Sequence, residues 1–168
     1  MSRSCFLAVL VLAACPLLAR AEHARIDLRV MQLDPETGRA GAEERADADQ
    51  EPPVGGVQPR KLFEVKAGAP LMLQFHLTNT YPHGENKGVI LRYFVVRVKK
   101  VNQKELPPLD KGVVTRGRFK MNFKPKTRVA GARVTFTLPE PGIYLLRVDT
   151  DNTNSDHEHF SAIDLRAK

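Results

Sequence analysis

Tryptophan is absent from the 168-residue chain, and its two cysteines, Cys5 and Cys15, both fall near the amino terminus. No later residue can form a disulfide, a thiolate metal site or a cysteine nucleophile. Without indole rings the usual sugar-stacking platform is missing. The basic stretch 99–133 contains only Phe119 and Phe123 as aromatics for stacking on bases, so nucleic acid is not an expected partner. Beyond residue 21 no stretch approaches the ~18 apolar residues that mark a transmembrane helix, and no membrane span is expected. Helical periodicity is also wanting outside the first segment. Gly and Pro number 11 and 12, too few for a collagen-like or low-complexity chain.

The first segment is an address. Arg3 supplies the charged start, residues 6–14 (FLAVLVLAA) an apolar run, and Ala19-Arg20-Ala21 an A-x-A cleavage signal. Residues 1–21 are therefore read as a secretory signal, residues 22–168 as one domain, and the product as secreted or periplasmic. Leu12-Ala13-Ala14-Cys15 resembles a bacterial lipoprotein cleavage box, which would leave Cys15 lipid-anchored. The apolar residues that follow, Pro16 to Leu18, favour the soluble form over that anchor.

The rest reads as strands. Ile26, Leu28 and Val30 alternate with Arg25, Asp27 and Arg29, and Leu71, Leu73, Phe75 and Leu77 alternate with Met72, Gln74, His76 and Thr78. That period of 2 marks half-buried strands. Further strands are expected at 62–65, 89–101, 113–123, 133–138, 143–148 and 160–166. Residues 89–101 are apolar on both faces and suit a central position, and Gly117 is placed at a bulge. Asp34-Pro35-Glu36-Thr37-Gly38 is a turn. Residues 34–60 as a whole, rich in Ala, Glu, Asp, Pro and Gly, are read as a long polar loop. Seven or eight strands with turns between them predict an all-β fold, a two-sheet antiparallel Greek-key sandwich.

Residues 139–148 (PEPGIYLLRV) resemble the P-x-x-G-x-Y-x-L-x-V run into late strands of immunoglobulin-like and cupredoxin-like domains. Residues 63–79 (FEVKAGAPLMLQFHLTN) resemble an early portion of the same architectures. The resemblance implies that Tyr144 is half buried with its hydroxyl on a nearby backbone group. It also implies that the loops holding His83 and His157 to His159 share one end of the sandwich. The cysteine that cupredoxins place between their histidines is missing here, which excludes a blue-copper centre.

Two binding chemistries follow. His157-Glu158-His159 is an H-x-H whose i and i+2 side chains point the same way on a strand. With His83 and Asp156 they make a candidate site for copper or zinc. Asp149, Asp151, Asn152, Asn154 and Asp156 offer oxygens to Ca²⁺, without the EF-hand spacing. Alternatively, the charge asymmetry points to an anionic polymer or protein partner. Residues 22–60 carry 5 basic and 9 acidic groups, whereas residues 99–133 carry 11 basic and 2 acidic. Such a basic face attracts polyanions, and it equally guards exposed strand edges. No G-x-S-x-G elbow or carboxylate pair points to catalysis. The expected function is that of an exported, non-enzymatic binding module.

If His83, His157 and His159 share one ion, His159→Ala weakens Cu²⁺ or Zn²⁺ binding more than tenfold, about 1.4 kcal/mol. Isothermal calorimetry on the wild type and the variant measures this. Equal affinity, or no binding at micromolar metal, removes the metal reading.

Overall fold

The computed structural model describes residues 24–48, 59–79, 85–151 and 159–168. The described chain is all-β. Nine strands run in order: β1 Ala24–Leu33, β2 Ala40–Ala48, β3 Leu62–Val65, β4 Pro70–Asn79, β5 Asn86–Val98, β6 Val113–Phe123, β7 Arg128–Thr137, β8 Gly142–Asp151 and β9 Phe160–Ala167. They form a four-stranded sheet, β2-β1-β4-β7, and a five-stranded sheet, β3-β9-β8-β5-β6.

The alternation seen in the sequence sets the inner faces. Ile26, Leu28 and Val30 of β1 and Leu71, Leu73, Phe75 and Leu77 of β4 are buried. They join Leu91 and Val95 of β5, Leu146 and Val148 of β8, and Ile163 and Leu165 of β9 in one core. Phe75 bridges the sheets, with its ring 6.0 Å from Tyr93 and 6.1 Å from Phe119, nearly parallel to the latter. β5 lies between β8 and β6, an interior position that suits its two-sided apolar pattern.

Three details differ from expectation. There are nine strands rather than seven or eight. The ninth, β2, lies inside the stretch read as a loop. Asp34 accepts hydrogen bonds from the Glu36 and Thr37 amides, and Gly38 takes φ of 69°. The turn therefore closes a hairpin, and β2 returns along β1. Few residues of β2 are bulky, so hydrophobicity does not reveal it, although Glu43, Arg45 and Asp47 alternate with Ala42, Glu44 and Ala46. Secondly, the sandwich is not wholly antiparallel, because β3 pairs with β9 in parallel.

Thirdly, Gly117 is not a bulge. It pairs in register with Tyr93, and a Cβ there would lie 2.3 Å from the Tyr93 ring. The glycine is needed for ring packing. The β6 irregularity falls at Val114, between the pairs Val95–Thr115 and Val96–Val113. In β7 the register shifts at Gly131, between Phe75–Ala132 and His76–Ala130. A Cβ on Gly131 would sit 1.9 Å from the Phe75 ring.

Tyr144 is 2% exposed, more deeply buried than expected, and its hydroxyl donates to the Glu140 carbonyl at 2.9 Å. The phenol thereby satisfies a backbone acceptor at the corner between β7 and β8, while its ring fills the core.

The outer face of the five-stranded sheet is held by a buried ion pair. Asp164 on β9 is fully buried and faces Leu145 across the ladder. Its carboxylate accepts Arg60 Nε at 3.0 Å and the Asn102 amide at 2.6 Å. Arg60 in turn donates from its amide to Asn102 Oδ1 at 2.6 Å and from Nη2 to the Gln103 carbonyl at 3.0 Å. Asn102 holds φ of 58°, a left-handed conformation that asparagine tolerates. This knot draws the lead into β3 and the turn after β5 onto β9. Beside it Phe94, Val96, Val98 and Leu145 form a second, outward apolar cluster.

Gly131→Ala should lower stability by about 1–3 kcal/mol through overpacking against Phe75. Gly41→Ala, whose added methyl meets only Gln32 O at 3.5 Å, should leave it within about 0.5 kcal/mol. Asp164→Ala should cost about 3–5 kcal/mol by stranding the buried Arg60 guanidinium. Urea unfolding of the three variants separates these expectations.

Candidate functional site

Of the proposed metal ligands, His83, Asp156 and His157 lie outside the described residues, as does His23. His159 is described. It is not displayed on a loop but fully buried at the foot of β9. Its carbonyl accepts the Thr150 amide at 2.8 Å, and its amide meets Thr150 Oγ1 at 3.3 Å. These bonds carry the β8–β9 pairing one step past Asp149–Phe160, which is why the side chain turns inward. Ile90 of β5 faces Asp151 of β8, so the flanks of the 80–84 and 152–158 connections lie at one end of the sandwich. Among the described residues no three His, Cys, Asp or Glu side chains gather as a metal site.

Asp149, considered for Ca²⁺, is committed elsewhere. Oδ1 accepts Arg92 Nε at 2.5 Å and Oδ2 accepts Arg147 Nε at 3.1 Å. The Arg147 guanidinium lies over the Phe160 ring, 4.5 Å from its centroid. A carboxylate whose two oxygens are both held by arginines is a poor seat for a further cation.

The basic stretch 99–133 does not form one face. Lys99, Lys100, Lys104 and Lys111 lie in the connection before β6, and Arg116, Arg118 and Lys120 alternate as exposed residues along β6, an edge strand. Lys124 and Lys126 occupy the next turn. Arg128 and Arg133 belong to β7, in the other sheet. Of these cations only Arg128 forms an ion pair among the described residues, reaching Asp27 at 3.0 Å. Arg116 donates to the Leu109 carbonyl at 2.8 Å.

Cations elsewhere are mostly tied down. Arg25 pairs with Asp27, Arg97 with Glu140, and Arg166 and Lys168 with Glu64. Hydrogen bonds from Lys168 and then Arg166 hold the Glu64 carboxyl below its ordinary value. The sequence flagged the local excess of cations; which of them lack a carboxylate could be known only once strands from distant positions were side by side.

No known protein-family model matches the chain, and no curated protein matches it. Among solved structures it is similar in part to a family 123 glycoside hydrolase from Clostridium perfringens, at 9% identity with a TM-score of 0.43. The likeness covers 68% of this chain and 23% of that one, and at that level it extends to neither activity nor substrate.

Proposed function

We propose that this protein is an exported, non-enzymatic binding module that engages an anionic macromolecule through the cations of the 99–126 band. The observation that carries the reading is the segregation of charge. Carboxylates neutralise most arginines elsewhere, whereas Lys99, Lys100, Lys104, Lys111, Arg118 and Lys120 have none within ion-pair distance among the described residues. Unneutralised cations along an edge strand keep other strands off and raise the local concentration of polyanions. Phe119 stacks inward on Phe75, which takes it away from base stacking and favours partners other than nucleic acid.

A second reading, a divalent ion held by His83, His157 and His159 with Asp156, is favoured by the common end of the two loop flanks. The strand order supports a Greek-key description of the sandwich. β4 and β7 pair in one sheet while the intervening β5 and β6 pair in the other.

Calorimetry with dextran sulfate tests the main reading. Affinity should fall steeply as salt rises from roughly 50 to 200 mM, through counterion release. Charge reversal by Arg118→Glu with Lys120→Glu should weaken binding at least tenfold and change stability by less than about 0.5 kcal/mol for each exposed site. Salt-independent affinity, or an unaffected double variant, would overturn the assignment.

A further inference from the structure

The outer face of the four-stranded sheet carries a second cationic surface, built differently from the band. Register places Arg45, Arg29, Gln74 and Arg133 in one row across the four strands, and Arg25, Thr78 and Arg128 in another. Between the rows His76 of β4 faces Asp27 of β1. A groove of about 340 Å³ is lined by Arg25, Asp27, Arg29, Arg45, His76 and Arg128.

Two carboxylates hold the guanidiniums in place. Asp27 accepts Arg25 Nε at 3.2 Å, and Arg128 Nη2 reaches it from β7, across β4, at 3.0 Å. Glu43 takes Arg29 together with Arg45 Nε, the latter at 3.0 Å. The hydrogen bond from Arg29 holds the Glu43 carboxyl below its ordinary value, so the clamp persists in mildly acid solution. Cations fixed in this way lose less side-chain freedom on binding than the free lysines of the band. Among the described side chains of this face, five arginines outnumber these two carboxylates, and the face is cationic.

The neighbouring groups narrow the ligand. The cationic face extends ~13 Å along β1 from Arg25 to Arg29 and ~14 Å from β2 to β7, from strand rise and spacing. Leu106 and Leu109, the exposed large apolar residues among those described, belong to the connection before β6 and not to this face, so no described side chain here is suited to insertion into a lipid layer. Among the described residues no phenyl or phenol ring lies on this face to stack a base. Instead β4 offers an amide, an imidazole and a hydroxyl from Gln74, His76 and Thr78, half-buried and in line. Guanidiniums flanking a row of neutral hydrogen-bonding groups match a chain that carries both anionic groups and hydroxyls.

We propose that this groove binds a segment of acidic polysaccharide, its carboxylate or sulfate groups on the arginines and its hydroxyls on Gln74, His76 and Thr78. The site stands apart from the 99–126 band and does not depend on it.

The test uses the full mature chain with a polyuronate hexasaccharide and a sulfated hexasaccharide as probes, followed by calorimetry. Arg45→Ala with Arg128→Ala, both well exposed, should weaken binding of at least one probe tenfold or more. Arg118→Ala with Lys120→Ala, in the band, should weaken that binding less than the arginine variant does, which separates this groove from the band. Gln74→Ala with Thr78→Ala should weaken the saccharide threefold or more while leaving inorganic sulfate binding unaltered. Full affinity in the arginine variant would overturn the proposal. So would an unchanged affinity in the Gln74 and Thr78 variant, or tighter binding to phosphatidylglycerol vesicles than to either saccharide. Circular dichroism melting of each variant confirms that a loss reflects the site and not the fold.

Discussion

Asp164 is the constraint on which the five-stranded sheet depends. Its carboxylate sits on the outward side of β9, where a solvated residue would be ordinary, yet it is fully buried. Burial is tolerable because Arg60 and the Asn102 amide satisfy it, and because Asn102 and Gln103 satisfy Arg60 in turn. Such a pair adds little net stability after desolvation, but breaking it is expensive. Its consequence here is positional: it fixes where the chain leading into β3 and the turn after β5 meet β9. β3 then adds to β9 in parallel, with Asp164 at the register position of Leu62.

The two outer faces consequently differ in chemistry. That of the five-stranded sheet has an apolar centre, with Phe94, Val96 and Leu145 buried there, ionic knots around Asp164 and Asp149, and the exposed Arg116, Arg118 and Lys120 of β6 along its edge. The outer face of the four-stranded sheet is an array of arginines braced by Asp27 and Glu43. Among the described residues, cations without a carboxylate partner collect along β6 and the adjoining loop and turn. One sandwich thus presents a braced cationic groove on one sheet and a loose cationic band at an edge of the other. The first suits recognition of a shape and the second suits long-range attraction.

Much of this was legible residue by residue. The alternation of 24–30 and 71–78 named the buried faces, the two-sided apolar run named an interior strand, and the resemblance of residues 139–148 implied a backbone partner for the Tyr144 hydroxyl without saying which. The misses share a cause. β2 is a strand because β1 lies beside it, not because its own residues demand burial. Gly117 is small because Tyr93, 24 positions earlier, lays its ring there. His159, which the resemblance set on an end loop, is buried because Thr150 continues the ladder to it.

The sequence by itself determined an all-β chain, the inward faces of its long strands, the turns at Asp34–Gly38 and Pro139–Gly142, and the uneven placement of charge. Each of these follows from neighbours within a few residues, through side-chain period and turn chemistry. Only the tertiary structure decided the parallel β3–β9 pairing, the Arg60–Asp164 pair across 104 positions, and which cations meet a carboxylate. Those depend on segments far apart in the chain becoming neighbours, and charge pairing acts over a few ångströms of space regardless of separation in sequence.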